Sequence, residues 1–222
     1  DLMRWKFILG LLTTCAVLMS MSYTMLIPFL PMYLIQDLGV VKADVDMWSG
    51  AIFAITFLVS GIMAPIWGAL ADKKSRKLMA LRAGFCLAIT YFLGGLVTNP
   101  WELLGVRFIQ GLSAGLWPAL LAIISVESPK LKLGFCMGVM QGGMTAGGVL
   151  GPLFGGLLAD QFGMRMAFFI AAAALFLITL ALLFFVKEEP RKPDPNAKPV
   201  KIWDFSLCKI PAVKRMLICA GV

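Results

Sequence analysis

The sequence contains no histidine. That excludes imidazole acid–base catalysis, histidine metal ligation and histidine-based pH sensing. Charge is scarce as well. Asp, Glu, Lys and Arg make up 14% of the 222 residues, against roughly 25% in an ordinary soluble domain. Hydrophobic residues reach 60% and the mean hydropathy is +0.88. A chain this short has too little interior to hide so much apolar surface from water, which excludes a cytosolic enzyme and a disordered chain. The net charge of +8 is carried by short basic runs between apolar stretches, so the expected partner is a lipid bilayer and not nucleic acid. The five cysteines (Cys15, Cys86, Cys136, Cys208 and Cys219) lack zinc-ligand spacing and read as reduced packing residues. No metal and no cofactor is expected.

Six apolar runs are long enough to cross a bilayer, at roughly 6–35, 48–71, 78–98, 102–126, 134–158 and 165–186. The expected fold is an all-α membrane protein, with residues 1–186 as a six-helix transmembrane domain. Residues 187–215 break the pattern with charge and with Pro190, Pro193, Pro195 and Pro199, which reads as a solvated linker. A further apolar run begins near Met216, so 216–222 reads as the start of a seventh helix belonging to a longer chain. Of the 20 basic residues, sixteen flank the spans on the N-terminal side of the membrane, Arg82 and Arg107 lie within spans, and only Lys42 and Arg165 lie on the other side. The positive-inside rule then puts the N-terminus and the linker in the cytoplasm.

The segment Gly68-Ala69-Leu70-Ala71-Asp72 recurs as Gly156-Leu157-Leu158-Ala159-Asp160. The first copy ends the second span and the other ends the fifth, so they face opposite sides. Two three-helix units of inverted topology follow, a plan common in secondary transporters.

Several segments carry chemistry. After Gly68 and Asp72, a basic run of Lys73, Lys74, Arg76 and Lys77 suits the inner headgroups. In the fourth span, Arg107 and Gln110 fall one turn apart, and a cation inside an apolar run must face protein or a watery cavity. The fifth span places Gly143, Gly147, Gly151 and Gly155 on one helical stripe, with Pro152 and Gly156 beside it, so another backbone can approach closely. In the first span Pro28 and Pro31 follow Ser20, Ser22, Tyr23 and Thr24, which suits a bent helix lining a cavity.

Together these segments resemble the major facilitator superfamily. Residues 68–77 are similar to its G-x-L-A-D-r-x-G-r-[KR] loop, with Ser75 where a glycine is expected. Residues 107–111 are similar to R-x-x-Q-G, and residues 147–156 to the G-x-x-x-G-P-x-x-G-G motif of its drug:proton antiporter branch. The resemblance implies a twelve-helix transporter of the bacterial inner membrane, this chain being the N-terminal six-helix half and a second half its partner. It implies export of drugs or other amphipathic small molecules in exchange for protons. It implies that Gly68, Asp72, Arg76, Lys77 and Glu127 form a conformational latch. It places Arg107, Gln110, Tyr23 and Gln141 at a proton-coupling cavity. Phe29, Phe53, Phe57, Trp117, Met137, Met140 and Met144 are the expected soft wall for varied substrates. Two other functions fit the residues: an importer of sugars or other metabolites, and a non-transporting six-helix scaffold or channel subunit.

Overall fold

A computed structural model describes the fold of residues 2–187, with the side chains of all of these except Leu2, Met3, Asp72 and Lys73. The expected linker and seventh helix therefore lie outside the described residues, save Lys187. Seven α-helices make six spans: α1 (Leu2–Gln36), α2 (Val45–Lys73), α3 (Arg76–Leu96), α4 (Pro100–Leu112), α5 (Leu116–Glu127), α6 (Leu133–Phe162) and α7 (Met164–Phe185). The fourth span is shared by α4 and α5.

Local chemistry sets the ends of these helices. Asn99 caps α4, its side chain accepting from the Glu102 amide at 3.0 Å, and Pro100 opens the helix where its missing N–H costs nothing. Glu102 reaches back to accept from the Thr98 amide at 2.8 Å. The chain turns from α6 into α7 at Gly163, whose φ of +84° suits glycine. Ser75 is no liability in the loop between α2 and α3. Its φ is −61°, so no left-handed residue is needed, and its hydroxyl caps α3 by accepting from the Leu78 amide at 3.2 Å.

The most extensive packing joins α1 to α6, α3 to α7, and α2 to α4. Exchanging the first three spans with the last three turns the first-on-fifth pair into the fourth-on-second pair and returns third-on-sixth to itself. The pairing is thus symmetric in the way two inverted three-helix units require. The glycine stripe drives the tightest pair. A Cβ on Gly147 would sit 2.5 Å from the Val17 carbonyl oxygen, and one on Gly151 2.7 Å from that of Met21. Glycine alone lets α6 lie on the α1 backbone. The second and fifth spans are the least buried and the third the most.

Candidate functional site

A cavity of about 580 Å³ opens between α1, α2, α3 and the break separating α4 from α5. Its polar end is Arg107 and Gln110, both at least 96% buried. The Arg107 guanidinium donates to Gln110 Oε1 at 3.0 Å and lies 5.8 Å from the centre of the Tyr91 ring. Among the described residues no carboxylate lies within ion-pair distance of Arg107. Its own carbonyl accepts from Thr56 on α2 at 3.4 Å, which fixes the helix that carries it.

The cavity's sides are apolar and aromatic: Tyr23, Phe53, Phe57, Trp117 and Met144 all line it. So do Thr24 and Ile27, whose carbonyls lack their usual helical donors because residues 28 and 31 are prolines. Ser22 and Thr24 turn their hydroxyls onto the backbone of α1 itself, donating to the carbonyls of Leu18 and Ser20 at 2.8 and 2.9 Å. Other expected residues fall elsewhere. Met140 is fully buried in the core, and Gln141 is exposed and does not line the cavity. Met137 and Phe29 are not among the lining residues either; Phe29 packs against Gly156.

At the other end of the domain, Arg76, Lys77 and Glu127 line one small crevice. The Glu127 carboxylate accepts from Arg4 at 3.1 Å, a partner that the loop motif alone does not indicate. The side chain of Asp72 lies outside the described residues. A Cβ on Gly68 would meet nothing within 4 Å, so that glycine is not needed for packing inside this domain. Gly143, Gly147, Gly151 and Gly155 all face α1. On the opposite side of the bundle Arg165 ties α7 to the end of α1 by donating to Asp37 at 3.3 Å.

A second cavity, of about 560 Å³, is lined by Ser60, Trp67, Gly68, Arg76, Arg82 and Ser125. The two share Ala114, Gly115 and Pro118 and follow one another along α2 and α3. Hydropathy reads residues 102–126 as one uninterrupted span. The signal that marks the break is Gly115, at φ +116°, followed three residues later by Pro118.

Over 186 residues the chain is 42% identical to the multidrug resistance protein MdtG of Citrobacter koseri, covering 83% of this chain and 46% of that protein. It is 40% identical to MdtG of Yersinia enterocolitica over 187 residues, covering 84% and 45%. The chain therefore spans about half the length of the curated relatives it matches. Among solved structures, a bacterial homologue of the human lysosomal transporter Spinster, inward-facing and unoccupied, superposes with a TM-score of 0.72 at 22% identity. That match covers 93% of this chain and 48% of the homologue. The human organic anion transporter MFSD10 gives 0.69 at 21% identity, over 83% of this chain and 48% of its own. At such identities the likeness speaks to the fold alone. The Major Facilitator Superfamily profile matches residues 12–218. Six apolar spans, an inverted pairing, a cavity facing the broken fourth span and this match lead to one conclusion: the chain is a multi-pass membrane protein that belongs to the major facilitator superfamily, a family of transporters and not of enzymes.

Proposed function

We propose that the chain is the N-terminal six-helix half of a twelve-helix secondary transporter that exports drugs or other amphipathic small molecules in exchange for protons by alternating access. The observation that carries this is the cavity itself: one buried guanidinium–amide pair set in a wall of aromatic and methionine side chains. Such a wall accommodates varied apolar shapes, and the pair supplies one fixed point of charge. The sequence likeness to multidrug resistance proteins supports the same choice of substrate class. Arg107 is the only ionised side chain lining the cavity among the described residues, so within this half the potential favours amphipathic weak acids over lipophilic cations. A sugar importer would be expected to present more amides than the single Gln110. The basic residues favour cytoplasmic placement of the N-terminus and linker in a bacterial inner membrane. In this reading Asp72, Arg76 and Glu127 steady one conformation of the two halves, and the open face at Gly68 receives the second half.

The test is drug accumulation in a bacterial host lacking its own efflux pumps, with a panel of amphipathic carboxylic acids and lipophilic cations. The chain joined to a second six-helix half should lower accumulation of the acids, and collapsing the proton gradient should abolish the effect. Residues 1–222 alone should not. Unchanged accumulation with the joined protein, or efflux indifferent to the proton gradient, would overturn the reading.

A further inference from the structure

The break in the fourth span exposes main-chain oxygens in a place where lipid and apolar side chains offer no donors. Covalent structure makes one of them unavoidable. In a continuous helix the Ala114 carbonyl would accept from the N–H of residue 118, and residue 118 is a proline. Two side chains from neighbouring spans meet this need. The Arg82 guanidinium on α3 donates to the Ala114 carbonyl at 2.9 Å and to that of Ser113 at 3.4 Å. Trp67 on α2 donates its indole N–H to the Leu112 carbonyl at 2.7 Å. The two are themselves joined, the Arg82 guanidinium lying 3.5 Å from the centre of the Trp67 ring. Ser60 adds a longer contact to the Gly111 carbonyl at 3.5 Å.

The clamp sits where the two cavities meet. Ala114 and Gly115 line both, Arg107 lines one and Arg82 the other. Arg82 is not itself a ligand site, because two of its nitrogens are bound to the main chain and its flat face is covered by indole.

We propose that Arg82 is a positioning residue: with Trp67 it holds the break in the fourth span as a partition between two cavities, and a solute passes from one to the other only when Arg82 releases the Ala114 carbonyl. Passage of a solute rests on the transport function proposed above; the clamp does not. The sequence supplies an internal control. Pro118→Ala returns the N–H that the Ala114 carbonyl lacks, so it should make Arg82 dispensable for order at the break while closing the passage.

The experiment is hydrogen exchange of the backbone amides of Ser113, Ala114 and Ala119, which donate to carbonyls on either side of the break, measured by mass spectrometry on the full-length protein in lipid nanodiscs. No substrate is required. Arg82→Gln should speed exchange about tenfold, the order expected for losing one charge-assisted hydrogen bond. Arg82→Lys, which keeps the charge without the planar fork, should give a smaller rise and serves where Arg82→Gln does not fold. Adding Pro118→Ala to either variant should return exchange to the wild-type rate or below it. In proton-driven efflux from vesicles, that double variant should remain inactive although ordered. Wild-type exchange in Arg82→Gln, no rescue by Pro118→Ala, or full efflux by the ordered double variant would each overturn the proposal. Absence of efflux in the wild-type protein with the exchange pattern as expected would overturn the transport reading and leave the clamp standing.

Discussion

Replacing Arg107 by alanine separates folding from function, because two stability terms of similar size oppose each other. The side chain is 4% exposed. A guanidinium at the centre of a spanning helix costs about 2.5–3.5 kcal/mol on insertion scales, a cost that alanine removes. Against that, Gln110 loses the donor it holds at 3.0 Å, and a hydrogen bond to a charged group contributes about 1.5–3 kcal/mol. The two cancel to within about 2 kcal/mol, with the balance on the side of alanine, so Arg107→Ala should insert and accumulate normally. Its effect on transport should be large. A weak-acid solute whose carboxylate sits about 6–8 Å from Arg107 would gain about 2–3 kcal/mol at an effective dielectric constant of about 20. Losing that attraction should cut the rate of efflux of such an acid by roughly 30- to 150-fold. Arg107→Lys keeps the charge and loses the fork, so it should retain part of the rate. The assay is proton-driven efflux from everted vesicles, normalised to the amount of protein in the membrane. A wild-type rate in Arg107→Ala would refute the reasoning.

Three further outcomes follow from the geometry. Gly151→Ala places a Cβ against the Met21 carbonyl and the Thr24 hydroxyl and should cost about 1–3 kcal/mol, read as a lower melting temperature in detergent; Gly68→Ala meets nothing within 4 Å and should leave melting unchanged, so a transport defect there would report docking against another surface. A double-mutant cycle on Arg4→Gln and Glu127→Gln should return a coupling of only about 0.2–1 kcal/mol, because the Arg4 side chain is 36% exposed; a larger value would mean that the pair is shielded in the assembled transporter. Tyr33→Phe removes a buried hydroxyl that donates to the Gly94 carbonyl at 2.8 Å and should cost about 0.5–1.5 kcal/mol in the same melting assay.

What the residues declare in advance and what they withhold divides along physical lines. Spans are legible because hydropathy over about 19 residues is an additive property of the segment. The face shared by Arg107 and Gln110 is legible because helical period fixes it. Partners across space are not, since period says which residues share a stripe but not what the stripe meets. The glycines of the fifth span announce a close approach, yet only the fold reveals that Val17 and Met21 of the first span receive it. Glu127 likewise finds Arg4, which lies 123 residues away in the chain. The break at Gly115 escapes a window average because three residues hardly change a mean over nineteen. Arg82 reads from sequence only as a cation inside the third span; its task depends on a proline in a different helix. Gln141 and Met140 have the chemistry expected at the cavity, but the fold leaves Gln141 exposed outside its lining and Met140 deep in the core.

The pairing order also has a consequence for how the protein is made. The main partner of α1 is α6, so the contact between Val17 and Gly147 closes only after 130 further residues have left the ribosome. At 5–20 residues per second that is a wait of roughly 7–26 s. For that interval the first span stands in the membrane without its principal neighbour. It carries hydroxyls and two prolines that an apolar solvent would penalise. Ser22 and Thr24 have already bonded their hydroxyls to the carbonyls of Leu18 and Ser20 within the same helix. The span therefore needs no other helix to satisfy those two hydroxyls while it waits for the fifth span to cover it.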